Sequence, residues 1–317
     1  MNKITDVSKK IRSAATQVFK GNDDVVDMIL ACLFAGGHVL LEDVPGTGKT
    51  VLAKSIAKST GLPFSRIQCT PDLMPSDVTG SSIWLPNEQK FEFRAGPVMS
   101  SIVLVDELNR ATPRTQSALL ECMAESQVSV DGVRHNLEKP FFVIATENPV
   151  ESEGTFPLPE AQKDRFMMCL SMGYPSLEDE QSIITAQRSL THPVENVTAV
   201  VSKEEILDCM KEAVKIHVDE AVLKYLVTLV NATRNDLRIS AGVSPRGSIA
   251  LYKASQAYAA VKGRSFVTPE DIKALALPVF RKRVILDTDS MLKGYTAEKI
   301  IKELIDQIPL PNFSAHI

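Results

Sequence analysis

Apolar positions recur along this chain with two periods, and the change from one to the other divides it. Over residues 5–20, Val7, Ile11, Ala14, Ala15 and Val18 recur at helical spacing, and Gly21-Asn22 closes that helix. A second helix is expected at 23–35, through Val25, Val26, Ile29, Leu30 and Leu33. Short continuous apolar runs follow at 39–41, 64–69, 101–107 (SIVLVDE) and 141–148 (FFVIATEN). Runs of this length, separated by helical patterns, predict buried strands of a parallel α/β sheet.

From about Gly173 the strand-like runs stop and capped helices take over. Ser202 and Glu205 form a capping box ahead of Ile206, Met210, Ala213 and Val214. Asp219 opens a helix through Val222, Leu226, Leu229 and Val230, and Thr268-Pro269-Glu270-Asp271 is a cap followed by proline in the first turn. Thr296 precedes Ile300, Ile301 and Leu304. The expectation is an α/β domain over 1–172 and an α-helical domain over 173–317.

Two segments interrupt the α/β pattern. Residues 76–98 carry glycines, prolines and the only tryptophan; residues 127–139 alternate around Asp131-Gly132, a tight-hairpin signal.

Composition narrows the class. The 317 residues are 44% hydrophobic and 23% charged, as in ordinary soluble domains. No apolar run approaches the ~18 residues of a membrane helix, and the N-terminus lacks an apolar signal core. The net charge of −4 weakens a nucleic-acid reading, which needs concentrated Lys and Arg. Five cysteines without a CxxC pair read as reduced cytoplasmic thiols, and the five histidines show no metal-ligand spacing.

The segment LLEDVPGTGKTVLA (40–53) carries the chemistry. Strand, glycine turn and helix are the context of a phosphate loop. Glycines let backbone N–H groups curl around an anion, and the helix start adds its own. Lys49 is expected to bridge the β- and γ-phosphates of ATP, with the Thr50 hydroxyl on Mg²⁺. Asp43 stands where the full pattern has its first glycine, and is expected to take the turn conformation a glycine takes. The SIVLVDE run ends in two carboxylates, with Asp106 expected to hold Mg²⁺ through water and Glu107 to polarise the attacking water. Strands of a parallel sheet offer ligands at their carboxyl ends, which here carry the loop, Asp106-Glu107 and Asn148.

With these residues in hand, the chain resembles the AAA+ ATPases, and most of all their MoxR branch. The matching segments are LLEDVPGTGKT, RIQCTPDLMPSDVTG, VLVDELNRATPRTQSALLECMAE, VIATENPVESEGTFPLPEAQKDRF and GVSPRGSIAL. The resemblance implies a P-loop core with a helical lid and a hexameric ring with ATP at subunit interfaces. It implies a nucleotide held by Pro45, Gly46, Thr47, Gly48, Lys49, Thr50, Val51 and Asp106, with adenine near Phe19 to Gly21. It implies Asn148 as sensor 1, Arg165 as an arginine finger into the neighbouring subunit and Arg246 as sensor 2, in its own site or a neighbour's. Gln68 is a candidate to switch Glu107 between orientations. The insertions fall where a helix-2 insert and a pre-sensor-1 hairpin face the ring pore. MoxR proteins are considered chaperone-like and often work with von Willebrand A-domain proteins, here necessarily separate chains. The expected function is an ATP-driven protein-remodelling motor; the alternative is a nucleic-acid translocase, because helicases share the insertions.

Overall fold

A computed structural model describes residues 3–44, 46–149, 154–186 and 192–311. Helices α1 (Lys3–Thr16) and α2 (Asp23–Phe34) lead into strand β1 (Val39–Glu42), then α3 (Lys49–Thr60) and β2 (Phe64–Gln68). The first insertion forms α4 (Pro75–Thr79) and the hairpin β3 (Gly80–Leu85) with β4 (Lys90–Ala95). Next come β5 (Ile102–Asp106), α5 (Pro113–Glu125) and the second hairpin, β6 (Gln127–Val130) with β7 (Val133–Asn136). Asp131 and Gly132 turn that hairpin with φ of 51° and 78°, matching the twist of a two-residue turn. Then follow β8 (Phe142–Glu147), α6 (Glu160–Lys163) and β9 (Met168–Leu170).

Strands β2-β5-β8-β1-β9 form one parallel sheet in that order. Its apolar runs are continuous because both faces are covered. Val39, Leu41, Ile102, Leu104, Phe142 and Ile144 face one buried cluster; Leu40, Val103, Val105, Val143 and Ala145 face the other, against α5. Each of these side chains larger than alanine contributes about 1.5–3 kcal/mol by leaving water.

The second half holds α7 (Leu177–Ala186), α8 (Lys203–Ala213), α9 (Glu220–Asn235), α10 (Pro245–Val261), α11 (Pro269–Phe280), α12 (Thr288–Leu292) and α13 (Ala297–Gln307). The Ser202–Glu205 box forms as expected: Ser202 N donates to Glu205 Oε2 at 2.8 Å and Glu205 N to Ser202 Oγ at 3.3 Å. This half is not purely helical, however. A short antiparallel ribbon joins β10 (Ile239–Ala241) to β11 (Ile285–Leu286). Strands of two or three residues leave no alternation to read. The larger hydrophobic cluster runs without a break from α1 and α2 across the sheet into α8–α11 and α13. Among the described residues no helix is long and apolar enough to cross a membrane.

Candidate functional site

Four segments meet at the carboxyl ends of the sheet: the turn after β1, and the ends of β2, β5 and β8. Gly46 (φ 85°) and Gly48 (φ 89°) hold the left-handed conformations that other residues adopt at a cost. Gly48 caps α3 without a side chain, leaving the first-turn N–H groups to face an anion. Pro45 lies outside the described residues.

Asp43 does not take the glycine-like turn expected of it; its φ is not positive. Its carboxylate instead accepts hydrogen bonds from Ser171 Oγ (3.1 Å), from Met172 N and from Gly173 N (3.3 Å). The side chain thus ties the phosphate loop to the segment leaving β9, a task glycine cannot perform.

Lys49 Nζ donates to the carbonyls of Asp43 (2.5 Å) and Glu147 (3.4 Å). Partial burial lowers its pKa, opposed by the charges of Asp43, Asp106, Glu107 and Glu42. Thr50 Oγ1 lies 3.3 and 3.4 Å from the Asp106 carboxylate oxygens. Asp106 is buried, and Thr146 Oγ1 donates to its Oδ1 at 3.3 Å while accepting from Glu107 N at 2.8 Å. Glu107 leaves the strand with φ 56°, left-handed for a non-glycine residue, a strain that persists where the surroundings over-determine it. Its Oε2 accepts from Gln68 Nε2 (3.1 Å) and Arg110 Nη1 (3.2 Å). Asn148 follows β8 and is buried, its carbonyl accepting from Asn109 Nδ2 at 3.2 Å.

These groups line one cleft of about 350 Å³, shared by Gly46, Lys49, Thr50, Asp106, Glu107 and Asn148. Beyond Gly48 and Val51 it adjoins a recess of about 180 Å³, walled also by Thr47, Val18, Phe19, Ile183 and Pro193. That recess has the apolar walls a purine needs. Gly21 stands behind Phe19; a Cβ there would lie 2.7 Å from the Phe19 ring. The donor set fits ATP with Mg²⁺: hard oxygens from Thr50 and Asp106, a lysine, and a glycine turn at a helix start.

Three expected site residues are not among the walls of either space: Gly21, which stands behind Phe19, Arg165 and Arg246. Arg246, at the start of α10, is largely exposed, with Nη1 3.8 Å from Asp164 Oδ2. Arg165 adjoins that aspartate in the chain, just past α6. Asp164 is also held by buried Arg283 (Nε to Oδ1, 2.6 Å) and by Ser244 Oγ (3.2 Å). Sequence reasoning missed Arg66, Thr146 and Arg110. Arg66 had a signal: it stands two residues before Gln68, hence on the same side of β2. It also missed Glu42, at the end of β1, which pairs with Arg281 Nη2 (2.9 Å) and Lys282 Nζ from the end of α11. Burial pushes the carboxyl of neighbouring Glu147 up; Lys282 opposes this and Glu42 adds to it.

Residues 38–168 match the family model of the ATPase family associated with various cellular activities (AAA), and residues 231–304 match an AAA lid domain. The chain therefore belongs to the AAA ATPases. It is 38% identical to Chaperone MoxR1 of Mycobacterium tuberculosis, over 94% of this chain and 81% of that one. Within the AAA ATPases it belongs to the MoxR family. The uncharacterized protein YeaC of Bacillus subtilis is 48% identical over 93% of this chain and 92% of its own. A crystal structure from Cytophaga hutchinsonii, of a protein assigned as an ATPase, superposes with a TM-score of 0.90. It is 36% identical and covers 98% of this chain and 96% of that one.

Proposed function

We propose that this MoxR-family AAA ATPase hydrolyses ATP at the carboxyl ends of its sheet and uses the cycle to remodel partner proteins. The observation that carries the reading is the convergence of Lys49, Thr50, Asp106, Glu107 and Asn148, from three strand ends, on one cleft. Lys49 gives up its backbone carbonyls to hold the β- and γ-phosphates, and the α3 N–H groups complete the cradle. Thr50 and Asp106 hold Mg²⁺, which neutralises charge on the phosphates when bound. Glu107 orients and deprotonates the attacking water, and Asn148 positions it. The reading divides the chain into a nucleotide core (1–172) and a lid (173–317), joined where Asp43 grips Met172 and Gly173.

Arg165 serves a neighbouring subunit's nucleotide in a hexameric ring, a role its position outside the cleft supports. Arg246 pairs with the adjacent Asp164, which favours the same trans assignment for sensor 2. The remodelling reading draws on the name Chaperone MoxR1 and on the two hairpins, which reach toward a pore in such a ring. The cleft between them is lined by Ser82, Phe91, Phe93, Val130, Asp131, Val133 and His135, without lysine or arginine. Such walls suit polypeptide better than a phosphate backbone. Partners include client proteins and separate von Willebrand A-domain chains.

Lys49→Ala tests the foundation. Calorimetry should detect no ATP binding, because the cradle loses its fixed positive charge; wild-type affinity would remove the phosphate-loop assignment. A polynucleotide that stimulates hydrolysis at moderate salt would favour a translocase instead.

A further inference from the structure

We propose that Arg66, braced by Gln68, is a latch that competes with Mg²⁺ for Asp106. This rests on the reading of Asp106 as a metal ligand. Strand β2 lies at the sheet edge beside β5, with Gln68 in register with Asp106 and Arg66 two residues earlier on the same side. Arg66 Nε donates to Asp106 Oδ2 at 2.7 Å. That same oxygen is the nearer one to Thr50 Oγ1, at 3.3 Å. A cation held between Thr50 and Asp106, directly or through a water, shares a carboxylate that Arg66 already engages. A guanidinium and a divalent cation beside one carboxylate repel each other, so each weakens the hold of the other.

Gln68 makes the latch directional. Arg66 Nη2 donates to Gln68 Oε1 at 2.9 Å, and Gln68 Nε2 donates to Glu107 Oε2 at 3.1 Å. The amide uses its acceptor on Arg66 and its donor on Glu107, so reversing it breaks both contacts. The guanidinium is thus oriented as a fork between Asp106 and Gln68, a geometry lysine cannot reproduce. Asp106 is buried while the Arg66 side chain is half exposed, so the arginine can swing into solvent when the carboxylate turns to the metal. In this arrangement Asp106 has a counter-charge before nucleotide arrives, and metal capture is set against loss of that pair.

The test is binding of a fluorescent ATP analogue, mant-ATP, in EDTA and over a MgCl₂ series. It uses wild type, Arg66→Ala, Arg66→Lys, Gln68→Ala, the Arg66→Ala/Gln68→Ala double variant and Asp106→Asn, with circular dichroism melts confirming that each is folded. Asp106→Asn should remove most of the tightening by Mg²⁺; a wild-type response there overturns the metal-ligand reading and the latch with it. With that reading intact, Arg66→Ala should lower the half-saturating Mg²⁺ concentration roughly two- to fivefold, the scale of one half-exposed charge pair, read against each variant's own affinity in EDTA. Arg66→Lys should fall between the two. Gln68→Ala should lower the midpoint less, and add nothing on top of Arg66→Ala. An Arg66→Ala midpoint at or above the wild-type value overturns the latch, and additive effects of the two substitutions overturn the bracing by Gln68.

Discussion

The proposed nucleotide cleft and the cleft between the hairpins are built on opposite plans. In the first, side chains sit at strand ends and are held by one another: Asp106 alone engages Arg66, Thr50 and Thr146. In the second, of about 560 Å³, the walls are largely apolar and the two ribbons meet through one stacked ring pair, Phe93 and His135, 3.8 Å apart. Phe91 and Val133 stay exposed there, as does Trp84 beside Phe91 on the first ribbon. Positioned chemistry needs rigid placement to within fractions of an ångström, which a buried parallel sheet provides. A surface that accommodates different chains gains from exposed rings on ribbons with few constraints. Substitutions should separate the two plans: those at strand ends stop turnover, and those on the ribbons leave it running.

Arg165→Ala puts the largest strain on this contrast, because Arg165 is a wall of neither cleft. The variant should bind ATP nearly normally yet lose roughly 10³–10⁵ in rate, the worth of an arginine finger. Mixed with Lys49→Ala protein, it should recover partial activity, since some interfaces then pair an intact Lys49 with an intact Arg165. No recovery in verified mixed rings would mean that Arg165 acts within its own subunit or is only structural.

Glu107→Gln comes next and sharpens the first plan. It keeps the shape of the side chain and removes the base, so hydrolysis should fall about 10²–10⁴-fold with ATP still bound. Normal turnover would mean that another group orients the water. Under the proposed remodelling role, the same variant, holding ATP, should retain client proteins for recovery.

Phe93→Ala is the smallest step and addresses the second plan. Losing the stack with His135 costs about 0.5–1.5 kcal/mol of contact between the ribbons. Basal ATP turnover should stay within about twofold of wild type, the scale expected of a change remote from the chemistry. Fluorescence anisotropy of Trp84, the only tryptophan, should fall as its ribbon loosens; its ring lies 5.1 Å from Phe91. A large loss of basal hydrolysis would show that the ribbons belong to the catalytic apparatus and erase the contrast.

By itself the sequence determined whatever depends on near neighbours in the chain. The strand–glycine–helix context of Lys49, the apolar run ending in Asp106-Glu107 and the Asp131-Gly132 turn were all legible, because residue type and periodicity act over a few positions. The caps of the helices after Gly173 were legible for the same reason. Tertiary structure decided what depends on chains crossing. Arg66 meets Asp106 only because β2 and β5 pair side by side, 40 residues apart in sequence. Asp43 looked like a substitute for glycine, and only the approach of residues 171–173, about 130 positions on, made it a tether. The short strands β9, β10 and β11 carry too few residues for a period, so pairing with a neighbour is what makes them strands. The separation of Arg165 and Arg246 from the cleft follows from how α6 and α10 pack around Asp164, a distance in space that no local pattern encodes.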